Sequence, residues 1–147
     1  MALTRIGLNQ SINLASNVTG TLPAANGGSG RTAVTGNVLQ AVTASTQTQS
    51  STTSSSFQAT ALTANITPSA TSSKILILVS YSHYAASGDS RVTIYRDSTN
   101  LFDSTKGKFS FATTDVVLGD STLDSPNTTS QVTYTVYHNA AAGTSYF

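Results

Sequence analysis

The sequence predicts an all-β protein in which an extended, fibre-like N-terminal arm is followed by an antiparallel, jelly-roll-like β-sandwich. The only sustained apolar run, KILILVSYSHY from Lys74 to Tyr84, is rich in β-branched and aromatic residues and too short to span a membrane. Further short strand patterns recur through residues 57–147, separated by turns rich in Gly, Asn and Asp. Before them, the first segment alternates apolar and polar residues with the period of an extended chain.

Residues 1–30 are interpreted as an attachment and trimerisation arm. Its apolar side chains share the even positions, so they would line one edge of an extended chain: Ile6, Leu8, Ile12, Leu14, Val18 and Leu22. No turn signal precedes Val18, so the segment cannot pair with itself as a hairpin. It either packs on the chain's own C-terminal domain or wraps around identical copies at a symmetry axis. We favour the second arrangement because a long linker separates the arm from the domain.

The arm ends in a stretch that combines a proline with a glycine cluster, VTGTLPAANGGSG at 18–30. Pro23, Gly27, Gly28 and Gly30 predict a change of direction and a close approach to another backbone, where side chains would not fit. The GGSG stretch lacks the Lys and the following Ser/Thr of a phosphate-binding P-loop, which argues against nucleotide binding.

This stretch resembles the V-T/S-G-T-L-P-x-A-N-G-G-T/S-G motif of tail fibres and related virion proteins of tailed bacteriophages, with Ser29 in place of the usual Thr. In that family the motif lies in fibrous, usually trimeric regions. The resemblance implies a virion structural protein of the tail-fibre, capsid-fibre or decoration type. Such a protein would form a homotrimer, contact other virion proteins of the head or tail, and be assembled in the host cytoplasm before residing in the virion.

Residues 31–56 are interpreted as a Ser/Thr-rich linker. The uncharged segment 45–56, STQTQSSTTSSS, buries too little apolar surface to offset its ordering entropy, which predicts a flexible tether. Within an assembly it would instead be ordered as an extended chain between subunits. Residues 31–44 have weak apolar spacing that fits either a short helix or another fibre strand.

Residues 57–147 are interpreted as the β-sandwich domain. Its strands are predicted at 57–67, 74–84, 91–96, 101–102, 109–111, 115–118, 131–138 and 146–147, with a polar loop at 119–129 and turns at 69–73, 97–100 and Gly143. Both faces of the 74–84 strand are apolar at its start. This pattern predicts that both faces of the strand are buried near Lys74 and that the strand is exposed to solvent or to a partner near Tyr84.

A second resemblance covers the start of this domain. The stretch from Leu62 to Ser80 and the strand from Arg91 to Leu101 are similar to a β-domain of phage and marine-virus structural proteins. In those relatives, further strands follow the equivalent of 143–147. The resemblance therefore implies either a shortened chain or a sheet that a neighbouring subunit completes.

Composition limits the partners. The net charge is +1, with 9% charged residues and no Lys/Arg cluster to release counterions from a phosphate backbone, so nucleic acid is not expected. No run approaches the roughly 20 apolar residues of a transmembrane helix, so no membrane insertion is expected. The chain has no cysteine, which excludes disulfides and thiolate metal sites.

The titratable residues do not form a recognisable catalytic pattern. All six acids are Asp, and most fall in predicted turns, where side-chain hydrogen bonds to the backbone explain them without catalysis. A catalytic carboxylate pair of Asp103 and Asp120 is the weaker alternative. His83 and His138 each follow a Tyr-rich strand and lack the further ligands of a metal site. The protein is therefore expected to be neither an enzyme nor a metal or cofactor protein.

Tyrosines near the strand ends suggest the alternative function. Tyr81, His83, Tyr84 and Tyr95 are candidate contacts for a host-surface glycan, because tyrosine offers an apolar face with a polar tip. Packing on the sheet with exposed hydroxyls is the simpler interpretation of the same residues. The alternative to a purely structural protein is thus a host-receptor or glycan-binding module at the virion surface.

Overall fold

The computed structural model describes residues 38–105, 107–111 and 116–147. The predicted arm and residues 31–37 of the predicted linker lie outside the described residues. So do the proposed subunit contacts Ile6, Leu8, Ile12, Leu14, Val18, Leu22, Pro23, Gly27, Gly28 and Gly30. Residues from Gln40 to Phe147 belong to one compact unit.

The strands form two antiparallel sheets, which confirms the predicted all-β sandwich. The described strands are β1 (Ser51–Thr52), β2 (Gln58–Ile66), β3 (Ile75–Ala85), β4 (Ser90–Arg96), β5 (Thr99–Asn100), β6 (Phe109–Phe111), β7 (Val116–Asp124), β8 (Val132–Ala140) and β9 (Ser145–Tyr146). The first sheet has the order β1-β9-β3-β7, and the second has β2-β8-β4, with β5 and β6 both paired to β4. The described residues include no helix long and apolar enough to cross a membrane.

The core lies between the sheets and follows from the period-two pattern of the strands. Val92 and Ile94 of β4 and Val132 and Val136 of β8 are almost fully buried. Odd-numbered side chains of β3 pack against them from the first sheet, with Ile75, Ile77 and Val79 in contact with these residues. The apolar alternation of β4 and β8 in the sequence therefore also identifies their inward faces.

The structure corrects the predicted environment of β3. Leu76 and Leu78, expected under a second layer, are 61% and 72% exposed. At the other end, where an opening was predicted, Tyr81, His83 and Ala85 are buried. The reason is that the second sheet covers only the odd-numbered face of β3, and no described residues cover the even-numbered face.

Strand β7 is longer than the sequence predicted. Residues 119–124 were assigned to a polar loop, but the strand continues from Val116 to Asp124 and pairs with β3 along its whole length. Polar residues are tolerated at 119–124 because the outward positions of the strand face solvent and the two inward aspartates form ion pairs. The return strand β5 is also displaced, to Thr99–Asn100, while Leu101 and Phe102 pack against the core.

The end of the predicted tether is part of the sandwich. Strand β1 pairs with β9, and the backbones of Ser50 and Phe147 exchange two hydrogen bonds of 2.9 and 2.8 Å. The carbonyl of Ser54 accepts a further bond from the Ala140 amide at 2.8 Å. A segment without apolar residues is ordered here because it completes the backbone hydrogen bonds of a sheet edge. The folded unit thus begins before the expected boundary at Phe57.

Candidate interaction surface

Four large apolar side chains project from the outer side of strands β3 and β7. Leu76, Leu78, Val117 and Leu123 are between 61% and 80% exposed. We call the outward side of β3 and β7 the apolar face. Clustered exposed apolar residues are a mark of interaction surfaces, whereas single ones are common on any protein.

The antiparallel register of β3 and β7 brings these residues together. Leu76 lies opposite Leu123, Leu78 opposite Ser121, Ser80 opposite Gly119, and Ser82 opposite Val117. The small residues at the centre leave a shallow, open depression between the larger ones. A side chain added at Gly119 would meet no atom within 4 Å, so the depression opens directly to the surface.

No charged side chain occupies the outward positions of β3 and β7 among the residues that the structure describes. The charged residues of β7 point inward instead, where each forms an ion pair. Asp120 Oδ1 lies 2.6 Å from Lys108 Nζ, and Asp124 Oδ2 lies 2.7 Å from an Arg96 guanidinium nitrogen. The apolar face as defined is therefore uncharged, and exposed Lys74, directly before β3, donates from Nζ to Ser125 Oγ at 2.6 Å directly after β7.

The pair of Asp124 and Arg96 joins the two sheets. One Arg96 nitrogen donates to both carboxylate oxygens, and the Tyr134 hydroxyl donates to Oδ2 at 2.6 Å. Burial alone would raise the pKa of Asp124, but the hydrogen bonds from Tyr134 and Arg96 outweigh it and hold that pKa below its usual value. Burial, and then the Asp124 carboxylate, raise the pKa of Tyr134. Asp124 is thus a structural anion at neutral pH.

Two buried histidines meet between the sheets. The ring centroids of His83 and His138 are 6.3 Å apart, and neither side chain is more than 1% exposed. His138 Nε2 is bonded to Ser50 Oγ and Nδ1 to Ser145 Oγ, both at 2.8 Å, and His83 Nε2 is bonded to Ser90 Oγ at 2.5 Å. A hydroxyl can donate or accept, so the serines can satisfy both ring nitrogens of a neutral His138 and Nε2 of a neutral His83.

Burial keeps both histidines uncharged. It lowers the pKa of His138 to about 4, and burial together with the nearby His138 lowers the pKa of His83 to about 4. The two neutral histidines can therefore hold the sheets together at neutral pH. Protonation of either ring in the folded protein is unfavourable because the ring is buried.

The candidate glycan contacts do not form one surface. Tyr81 and His83 are buried between the sheets, so their assignment as glycan contacts was wrong: the odd-numbered face of β3 is the core face. Tyr84 lies on the opposite face, half-buried, with its ring centroid 5.8 Å from that of Tyr146. Tyr95 is in the second sheet and stacks on Tyr137 at 4.1 Å.

The two aspartates considered as a catalytic pair have structural partners. Asp120 forms the ion pair with Lys108, and Asp103 accepts a hydrogen bond from the Thr105 amide at 2.8 Å in a surface loop. Among the residues that the structure describes, no three His, Cys, Asp or Glu side chains are grouped closely enough to hold a metal ion.

Sequence reasoning missed the apolar face. Leu76 and Leu78 were assigned to a covered face, and Leu123 was assigned to a loop. The available signal was the alternation in VVLGDSTLD at 116–124, where Gly119 and the aspartates weaken the apolar pattern. A strand with two aspartates on its inward face and Val117 and Leu123 on its outward face departs from the usual alternation of a half-buried sheet.

Comparisons of the chain with protein-family models, with curated proteins and with solved structures find no match. A functional proposal therefore depends on the sequence patterns and on the geometry of the described residues.

Proposed function

We propose that this chain is a structural protein of a tailed-bacteriophage virion, a fibre or surface-projecting component. In this proposal it assembles as a homotrimer and residues 1–30 anchor it to head or tail proteins. The observation that carries the proposal is the uncharged apolar face of the sandwich, in a chain of which only 9% of the residues are charged.

The apolar face fits a protein that works in an assembly. Burial of one Leu or Val side chain contributes about 1.5–3 kcal/mol, and Leu76, Leu78, Val117 and Leu123 are left largely exposed in the single chain. A protein–protein contact would recover that free energy. A solitary sandwich would gain solubility from charged residues at these positions.

The N-terminal sequence supports the virion assignment. The stretch from Val18 to Gly30 resembles a tail-fibre motif, and the even-numbered apolar residues before it have no hairpin partner. Both features are expected of an arm that is ordered by other subunits.

The titratable groups support a structural role over a catalytic one. His138 is bonded to two serines inside the core, and Asp124 and Asp120 form ion pairs between elements of the sandwich. Each group thus contributes to holding the strands together.

Purified particles of the phage that encodes the chain test the proposal. Peptides of the chain should be recovered by mass spectrometry from particles banded in a density gradient, and antibodies against the sandwich should label intact particles in electron micrographs. Recovery only in the soluble fraction of the infected host would contradict a virion role.

A glycan-binding role is a second candidate because Tyr84 and Tyr146 stack on each other and both are only half-buried. An aromatic platform of this kind can pack against the apolar face of a sugar ring. If this role holds, a Tyr84→Ala chain should lose binding on a glycan array, whereas Tyr95→Ala, in the other sheet, should retain it. Equal array signals for wild type and Tyr84→Ala would remove this candidate.

A further inference from the structure

We infer that residues 50–52 form an acid-sensitive latch. The latch closes over His138 at neutral pH, and it opens to solvent when His138 binds a proton, while the two sheets remain paired. This inference goes beyond the proposed virion role, because it concerns a motion within one chain, at the junction between the predicted linker and the sandwich.

The latch is attached to the sandwich mainly through its backbone. Strand β1 pairs with β9 at two positions, and Ser50 exchanges two backbone hydrogen bonds with Phe147. The side chains of residues 50–52 are those of serine and threonine, so their detachment exposes no apolar side chain of the latch itself. The preceding residues 38–49 are exposed except for half-buried Thr46. Segments with few buried apolar contacts open locally, at a lower free energy than that of global unfolding.

His138 lies directly beneath the latch. Its Nε2 atom is 2.8 Å from the Oγ atom of Ser50, a residue that is only half-buried. Ser145 Oγ of β9 lies at the same distance from Nδ1, and His138 as a whole is 0% exposed. Removal of Ser50 therefore gives Nε2 a path to water that does not require the sheets to separate.

His83 has no comparable path at its own Nε2 atom. That atom is bonded to Ser90 Oγ, so the bond crosses from β3 in the first sheet to β4 in the second. Strand β4 is in turn paired with β8 from Ser90 to Arg96. Water replaces this bond when the sheets separate. We therefore expect His138 to be protonated by opening of the latch, and His83 by global unfolding.

The described groups that face His138 carry no negative charge that would stabilise an imidazolium ring. They are the hydroxyls of Ser50 and Ser145, the Phe147 ring, the Val92 side chain and the ring of His83. Protonation of His83 would add a like charge at a centroid distance of 6.3 Å. The charged residues of the neighbouring elements point elsewhere: Asp89 is exposed, and Arg91 lies on the opposite face of β4 from Val92.

The open latch returns water to the ring of His138 and restores its ordinary affinity for a proton. Burial is the cause of the lowered pKa of about 4 in the closed form. Each pH unit below 6.5 therefore favours the open form up to about tenfold, and the open population should rise about 25-fold between pH 7.5 and pH 5. We expect the closed form to predominate down to pH 5, so the opening is transient.

Hydrogen exchange of single amides, followed by NMR on the full-length chain, tests the latch. The amides of Ser50 and Phe147 donate across it, whereas Thr93 and Tyr95 lie within the pairing of β4 with β8. Rates are corrected for the intrinsic exchange rate at each pH. The protection of Ser50 and Phe147 should be lower than that of Thr93 and Tyr95 throughout, and it should fall about 25-fold from pH 7.5 to pH 5.

His138→Gln and His83→Gln are the matched variants. His138→Gln removes the titrating ring, so the protection of Ser50 and Phe147 should become independent of pH. His83→Gln keeps His138 and should retain the fall. If a variant fails to fold, the unmodified chain still decides.

Two results on the unmodified chain would each overturn the inference. Equal protection of Ser50, Phe147, Thr93 and Tyr95 at every pH would show that residues 50–52 are released by global unfolding alone. Protection of Ser50 and Phe147 that does not change with pH would show that His138 does not control their release.

Discussion

Acidification from pH 6.5 to 4 is expected to destabilise the sandwich by several kcal/mol through His83 and His138. Both rings are buried, and both have a pKa lowered to about 4. The histidines of the unfolded chain therefore bind protons near pH 6.5, whereas those of the folded chain bind them only near pH 4. The contribution of the two neutral rings to the free energy of unfolding is fully present above pH 6.5, and it decreases as the pH falls from 6.5 to 4. The loss is roughly 3 kcal/mol for each histidine if the two act independently.

Urea unfolding between pH 7.5 and 4.5 measures this loss. Tyrosine fluorescence is a suitable probe because the chain has no tryptophan. The midpoint concentration of urea should fall steadily below pH 6.5, with little change above it. Asp124, whose pKa is lowered, adds its own loss only below the usual range of an aspartate, so it does not account for a decline that begins at pH 6.5.

Proton NMR provides a control that needs no substitution. The chain has only two histidines, so their ring signals are readily recognised. They should remain unshifted from pH 7.5 to pH 5 in the folded protein. Ring signals that titrate near pH 6.5, or a urea midpoint independent of pH, would contradict the description of a neutral buried pair.

Replacement of Asp124 by Asn is expected to lower the free energy of unfolding at pH 7 by about 2–3 kcal/mol. The substitution removes the negative charge that pairs with Arg96, and the amide has one oxygen in place of the two that accept from Arg96 and Tyr134, at a site where the Asp124 side chain is only 13% exposed. Loss of one partner from a buried ion pair costs more than the pair itself contributes, and partial exposure of Arg96 reduces that cost.

The matched control for this substitution is Asp89→Asn. Asp89 is exposed, and its removal should change the unfolding free energy by less than about 0.5 kcal/mol. A second variant, Arg96→Met with Asp124→Leu, removes both charges and should be less destabilised than Asp124→Asn. Equal stabilities of Asp124→Asn and Asp89→Asn would show that the ion pair does not join the sheets.

The sequence was sufficient to predict the strands whose alternation is clear. Strands β2, β4 and β8 have apolar residues at every second position, and Val92 and Ile94 face the core as predicted. The turn at Gly143 was also predicted from the sequence. Gly143 has a φ of +71° and lies against the Ser87 carbonyl, where only glycine fits well.

Other parts of the fold depended on tertiary pairing that no local pattern encodes. Strand β1 is formed by serine and threonine and is defined by its bonds to β9. Which face of β3 would be buried was ambiguous, because Leu76 and Leu78 are as apolar as Ile75 and Ile77. Only the position of the second sheet decides between them, and it thereby also decides that Tyr81 and His83 are core residues.

The solution mass of the full-length chain tests the central claim, that this is an assembly protein whose arm joins its copies. Light scattering should give three times the 15.1 kDa of one chain, with no decline on dilution into the micromolar range. The variant Ile12→Asp with Leu14→Asp should lower the mass to that of one chain, whereas Asn13→Asp, at a polar odd position, should leave it unchanged. A mass of one chain for the unmodified protein at every concentration would contradict the account.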